Sequence, residues 1–417
     1  MTDDHTNVDA PAAGPSEPSQ PHAIDHNISS SSSLKPRQKV QIIGDLPPAP
    51  RFSADQLAEA AAAKRNGDQS DDDDDSDDEE EKEGAQKDRR TNGVTTEDSD
   101  GDDVNGVEVP DAALLDRYPS DETRIDLTHL RLTSKSLRKL GLSRFRDTLE
   151  YLGLRQNEIS RISSKDIGAL KKLKDLDLYD NHIEKLGKAL EQCTELESLD
   201  LSFNNFRHLP HISHLGKCHT LYFVQNKISR IRPDDFMPPL QTTLRSLELG
   251  GNKLRTMENL GDLVNLEELW LGKNKITKLE NLNKFSRLRV LSIQSNRITK
   301  LENLEKLANL EELYISHNGL TKLEGLEHNS KLTTLDFAGN KVKVIENVNH
   351  LSRLEEFWAN DNQIDDINHI TDHLGPSHMP QLSTIYLEGN PAYRKEGPAY
   401  RRKLILSLPQ IQQIDAT

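Results

Sequence analysis

Eleven stretches of this chain fit one pattern, L-x-x-L-x-L-x-x-N-x-L with conservative swaps, running from LEYLGLRQNEI to LSTIYLEGNPA. Their asparagines are Asn157, Asn181, Asn204, Asn226, Asn252, Asn274, Asn296, Asn318, Asn340, Asn362 and Asn390. The intervals between them are 24, 23, 22, 26, then 22 five times over, and finally 28 residues. A degenerate earlier unit, RIDLTHLRL, carries Leu130 where the asparagine should stand. Self-similarity at this period is the mark of a chain whose units cannot bury their apolar faces alone and must stack.

The pattern is that of leucine-rich repeats. Each unit contributes one short strand, and neighbouring strands stack about 4.8 Å apart in a parallel sheet. The leucines point inward, and each asparagine turns the chain out of the strand while its amide bonds backbone groups that would otherwise be buried unpaired. The second half of each unit, typified by ITKLENLNKFSRL, returns in short helical or 3₁₀ turns on the other side. The expected fold is therefore an α/β leucine-rich-repeat solenoid of about 12 units over residues 120–390. Its sheet lines the concave side, and the helical and 3₁₀ turns form the convex side. Residues 391–417 form a cap, with a helix near Tyr400 to Ser407 and with Leu404, Leu408, Ile411 and Ile414 covering the last repeat.

The charge is lopsided. Residues 1–110 hold 27 Asp/Glu against 10 Lys/Arg, whereas the remaining residues hold 42 against 43. Residues 1–119 are expected to be a disordered, acidic, low-complexity tail, since a segment like DDDDDSDDEEEKE at Asp71 to Glu83 cannot bury enough apolar surface to offset chain entropy. Ser70 and Ser76 precede acidic runs, which suits acidophilic kinases, although a solubilising role is the plainer reading. The alanine-rich ADQLAEAAAAKR is a candidate transient helix. A nearly neutral body argues against nucleic-acid binding driven by phosphate attraction. Two cysteines, no apolar run long enough to span a bilayer and a polar start are the features expected of an intracellular protein not embedded in a membrane.

Chemistry-bearing motifs are missing: there is no phosphate-binding loop, nucleophile elbow, zinc-finger spacing or dinucleotide fingerprint. His208, His211 and His214 in RHLPHISHL are spaced for a metal, but Leu209, Ile212 and Leu215 take the inward positions, which leaves the histidines mainly on the solvated surface. Cys218 occupies a core leucine position and reads as a packed thiol. No enzyme, cofactor or metal is expected.

With the first leucine as position one, positions two, three, five and seven face the inside of the arc. Position five, at mid-strand, reads Gly153, Asp177, Asp200, Tyr222, Glu248, Trp270, Ser292, Tyr314, Asp336, Trp358 and Tyr386. Both tryptophans of the chain fall in this column. Aromatics also stabilise half-buried strands through cross-strand contact, but a row of exposed rings is typical of a binding surface. Fourteen acidic residues against Arg155, Lys174, Arg245 and Arg289 make the same face acidic, fit for a partner with a basic and apolar surface.

The tandem ITKLENL returns, LEEFWANDNQI and the closing YLEGNPAYRKEGPAYRRKLILSLPQIQQIDAT resemble the nuclear leucine-rich regulatory subunit of protein phosphatase 1, the regulatory subunit 7 family. The resemblance covers about Asp121 to Thr417 and implies a non-catalytic subunit of nucleus and cytoplasm. Such a subunit holds the phosphatase catalytic subunit on the concave face and governs its activity, maturation or location, in some cases beside a third protein. Carried over by motif, the binding residues are Asp200, Tyr222, Glu248, Trp270, Asp336, Glu356, Trp358 and Tyr386; the column adds Tyr314. The chain departs from the pattern at Cys218 and in longer loops near Pro233 to Gln241 and His369 to Pro380. KVQI at Lys39 to Ile42 lacks the final aromatic of a phosphatase docking motif. The alternative is a scaffold of a splicing or histone-chaperone complex, for which the number of repeats and the leading position of the acidic run are less suited.

Overall fold

The computed structural model describes residues 114–415. The acidic block, the alanine-rich stretch and KVQI lie outside the described residues.

Thirteen three-residue or shorter strands form one parallel sheet in strictly sequential order. They are β1 (Arg124–Asp126), β2 (Tyr151–Gly153), β3 (Asp175–Asp177), β4 (Ser198–Asp200), β5 (Thr220–Tyr222), β6 (Ser246–Glu248), β7 (Glu268–Trp270), β8 (Val290–Ser292), β9 (Glu312–Tyr314), β10 (Thr334–Asp336), β11 (Glu356–Trp358), β12 (Thr384–Tyr386) and β13 (Gln413–Ile414). The register never slips: position five of each of the first eleven strands faces position five of the next, as in Glu248 opposite Trp270. β1 belongs to the degenerate first unit. The closing strand β13 was not expected from the repeat pattern; there the carboxylate of Asp415 accepts from the backbone N–H of Leu387 and Glu388 at 2.7 and 2.9 Å.

Turning out of each strand needs a left-handed residue at position eight. It is supplied by Gln156, Asp180, Phe203, Gln225, Gly251, Lys273, Ser295, His317, Gly339, Asp361 and Gly389, all at positive φ. A non-glycine residue here is strained, and the asparagine that follows offsets the strain. The Asn274 amide donates to Leu249 O of the previous repeat and to its own Leu271 O, both at 3.0 Å. Its carbonyl accepts from Leu254 N at 3.0 Å. The same bonds recur from Asn157 to Asn390, so each asparagine ties two turns together, buried in every repeat except at the half-buried Asn296 and Asn318.

A second asparagine row, which the leucine pattern did not reveal, lies in the return segments. Asn259, Asn281, Asn303 and Asn347 also adopt positive φ, and each donates to a carbonyl one repeat earlier, at Ile231, Met257, Leu279 and Leu323. This is the asparagine of LENL.

The returns differ from expectation. In the 22-residue repeats they are successive turns with no helix. Helices occur where the return is longer or the pattern breaks: α1 (Ser134–Lys139) after the degenerate unit, α2 (Leu240–Thr243) in the 26-residue interval and α3 (Ile367–Leu374) in the 28-residue one. A 22-residue unit spends its length on strand, turn and a row of inward apolar residues such as Ile276, Leu279, Leu282 and Phe285, leaving too little chain for helical turns.

Both ends are covered. At the amino end Leu115 is buried and Leu114 and Tyr118 pack on the core, so the last residues assigned to the tail, 114–119, belong to the solenoid. At the other end α4 (Pro391–Glu396) and α5 (Tyr400–Ser407) follow the last asparagine, and Leu404, Leu408 and Ile414 are buried, with Ile411 packed beside them.

Replacing Asn274 by alanine strands three buried backbone groups and should cost about 2–4 kcal/mol. Asn281→Ala, which frees one half-buried carbonyl, should cost about 1 kcal/mol. Urea titration followed by circular dichroism checks the order; equal losses would contradict the ladder's role.

Candidate functional site

The side chains on the core-distal face of the sheet come from positions two, three, five and seven. Position five was expected to be an exposed row; it is not. Tyr222 (2 % exposed), Glu248 (0 %) and Trp270 (7 %) are buried, as are Asp177, Asp200, Ser292 and Asp336, while Tyr314, Trp358 and Tyr386 are half-buried.

The reason is an alternation of sizes. From β7 to β11 large rings alternate with small side chains: Trp270, Ser292, Tyr314, Asp336, Trp358. The rings lean across the small residues and meet: Trp270 stacks near Tyr314 at 6.1 Å, and Tyr314 meets Trp358 edge-on at 6.4 Å. Trp358 meets Tyr386 at 5.5 Å, also edge-on. A continuous aromatic ladder therefore covers Ser292 and Asp336.

Each ring on alternate strands has a carboxylate two residues before it on the same face: Glu268 with Trp270, Glu312 with Tyr314, and Glu356 with Trp358. The Tyr314 hydroxyl donates to Glu312 at 2.8 Å, and burial followed by that carboxylate pushes its phenol pKa upward, so it remains a donor. Glu268, held by the Ser246 hydroxyl at 3.1 Å, has its pKa raised by burial. Of these carboxylates only Glu356 had been singled out from the sequence; the recurring E-x-W/Y spacing was the available signal.

The four aspartates at position five do local work. Asp126, Asp177, Asp200 and Asp336 each accept from the backbone N–H two residues ahead, at 3.0, 3.1, 2.9 and 3.0 Å, closing the strand end. Arg155 lies 3.3 Å from Asp177 and 4.0 Å from Asp200. The other basic residues of the face are also paired: Lys174 with Glu150, Arg245 with Glu267 and Arg289 with Glu311, at 3.0, 4.0 and 2.9 Å. The acidic surplus therefore gathers at the centre and towards β11.

Glu248 is the exception. It sits in register between Tyr222 and Trp270, fully buried, and neither carboxylate oxygen has a hydrogen-bond donor among the described residues. Burial, then the neighbouring Asp200 and Glu268 carboxylates, push its pKa up to about 8. It is a carboxyl group that keeps its proton at neutral pH until a donor reaches it.

The residues weighed for other chemistry are placed otherwise. His208 and His211 are exposed, His214 bonds Leu190 O at 3.0 Å, and among the described residues no three potential ligands converge on a metal position. Cys193 and Cys218 are buried, and burial pushes their thiols up to about 11 and about 12, away from nucleophilic use.

Known proteins share this architecture and parts of this sequence. Leucine-rich-repeat family profiles match at residues 125–183 and 147–206 ("Leucine rich repeat") and at 242–284 and 286–328 ("Leucine Rich repeats (2 copies)"). An internalin, InlF of Listeria monocytogenes, superposes with a TM-score of 0.55 over 74% of this chain and 93% of its own; at 23% identity it shares the fold alone. The protein phosphatase 1 regulatory subunit SDS22 of Saccharomyces cerevisiae is 46% identical over 130 residues, 31% of this chain. A protein phosphatase 1 regulatory inhibitor subunit homologue of Arabidopsis thaliana is 37% identical over 154 residues, 36% of this chain. In these stretches the chain resembles the regulatory subunits of protein phosphatase 1. The aligned part spans 36% of the yeast relative and 44% of the plant one. These relatives carry the names of regulatory subunits, and the repeats described above are those of a scaffold rather than of a catalytic domain.

Folded, Glu248 keeps its proton up to about pH 8, whereas its ordinary value is near 4.5. Between those values the folded chain binds more proton than the unfolded one, so the stability present below the lower value is lost as pH rises through the higher. Glu248→Gln should raise Tm by at least roughly 3 °C at alkaline pH, with the gain vanishing near pH 5. Thermal melts across that range check it; a pH-independent difference would contradict the buried-acid assignment.

Proposed function

We propose that this chain is a non-catalytic regulatory subunit that binds the catalytic subunit of protein phosphatase 1 through the open face of its sheet. The observation that carries the reading is the buried, donor-free Glu248 between two aromatic rings, at one end of a ladder of ring–carboxylate pairs. An unsatisfied buried carboxyl raises the energy of the free chain and is relieved by a cationic side chain from outside. The ring–carboxylate pairs at Trp270, Tyr314 and Trp358 suit the same chemistry, since a lysine or arginine stem lies on a ring while its charge reaches the glutamate. Asp200, Tyr222, Glu248, Trp270, Tyr314, Asp336, Glu356, Trp358 and Tyr386 form the proposed contact surface. The half-buried Trp358 and Tyr386 meet the partner first, and Asp200 and Asp336 chiefly hold strand ends. The resemblance to that family points to a nuclear and cytoplasmic location, which imaging of the tagged chain tests.

Calorimetric titration with the purified phosphatase catalytic subunit is the direct test. Trp358→Ala should weaken binding by about 2 kcal/mol or more with the fold unchanged, and adding Glu356→Ala should weaken it further. Unaltered affinity in the double variant would remove the open face from the interface.

Binding that ionises Glu248 releases a proton, so affinity should rise roughly tenfold from pH 6.5 to 8.5. Glu248→Gln should bind more weakly and flatten that rise. A wild-type profile that is flat over the same range would mean that Glu248 takes no cation.

A further inference from the structure

Opposite in charge to the open face is a flank beyond the asparagine turn. At positions ten, twelve and thirteen of the seven repeats from Asn204 to Asn340 there are twelve Lys/Arg and no Asp/Glu. Lys253, Lys278, Arg297, Lys300 and Lys341 are typical, and all twelve are exposed except the half-buried Lys275. The periodicity of the fold brings them into adjacent rows, because each repeat advances by one strand spacing without register slip. The neighbouring row at position fifteen holds only five carboxylates, Glu258 to Glu346, so most of the charge remains uncompensated. One of them, Glu302, lies within 4.0 Å of Lys278 and 3.8 Å of Lys300.

A field of one sign this long stores repulsion that an extended polyanion relieves. The chain carries such a polyanion: Asp71 to Glu83 has eleven Asp/Glu and one lysine. Thirty residues, 84–113, separate it from the described part. They can span up to about 100 Å. The strip lies beside β4 to β10, the farther end nine strand spacings from β1, about 43 Å. Reach is not limiting.

We propose that the basic flank of repeats three to nine is an intramolecular docking surface for the chain's own acidic segment, Asp71–Glu83. The occupant is chosen by charge complementarity, by reach and by its permanent presence on the same chain at high effective concentration. The contact is electrostatic and screened by salt. It leaves the open sheet face uncovered, so it is compatible with, and independent of, the function proposed above. Phosphate on Ser76, in the middle of the acidic run, strengthens it.

Zero-length carboxylate-to-amine cross-linking of the full chain, read by mass spectrometry, tests this. The chain is used as an equal mixture of ¹⁴N and ¹⁵N copies to separate links within a chain from links between chains. In about 50 mM salt, within-chain links from Asp71–Glu83 to Lys253, Lys275, Lys278 and Lys300 should exceed those to the exposed Lys171, Lys172, Lys188 and Lys403 at least about fivefold. They should fall to the level of those controls in about 0.5 M salt. The R255E/R297E/K322E/K341E variant, which keeps the four probed lysines and an unchanged circular dichroism spectrum, should lose them. An even spread over all exposed lysines, or links only between copies, would overturn the assignment. So would full-chain capture of a single-stranded RNA that the same variant abolishes with the cross-links unaffected, which would give the flank to nucleic acid.

Discussion

Everything in this solenoid depends on the asparagine that closes each strand. A three-residue strand cannot satisfy its own backbone, and the turn after it carries a left-handed residue that is seldom glycine. The side-chain amide solves both problems by matching the geometry of two backbone turns, its own and its predecessor's. Because its partners belong to the previous repeat, the bond couples neighbours in one direction along the chain, and the parallel sheet and the leucine core follow from that coupling. Stability is then a sum over nearest-neighbour contacts rather than the property of one centre.

The open face is built on the same spacing with different chemistry. From β7 to β11 large and small residues alternate at one position, and the rings fold over the gaps. This packing makes the column more buried than a row of surface aromatics and fixes the rotamers of Trp270, Tyr314 and Trp358 in the free chain. Rigid aromatic anchors lose little entropy when a partner arrives. The destabilised element is Glu248, and its cost is carried by the surrounding repeats.

The sequence made the solenoid, the strand positions and the asparagine ladder legible, because each follows from a period that a single chain displays eleven times. It made the column of position-five residues legible too, but not their burial: whether Tyr222 is exposed depends on what its neighbours do in the third dimension. The aspartates illustrate the same limit. Asp200 and Glu248 look alike as acids on one face, yet one closes a strand end through the N–H of Ser202 and the other has no donor. The second asparagine row was hidden because LENL reads as a leucine motif, and β13 was hidden because only Ile411 to Ile414 there fit the start of the repeat pattern. The helices were over-expected because the length left in a 22-residue unit decides between turn and helix, and pattern alone does not weigh length.

The alternation of ring and small residue has a further geometric meaning. It doubles the repeat distance of the surface relative to the backbone, so the face presents marks at every second strand, about 9.6 Å apart. One strand away from each ring stands Ser292 or Asp336 within this stretch, and at its ends the neighbours differ, Glu248 on one side and Tyr386 on the other. A scaffold whose backbone is nearly uniform along its length thus carries a face graduated like a ruler, with coarser marks than the strands that bear it.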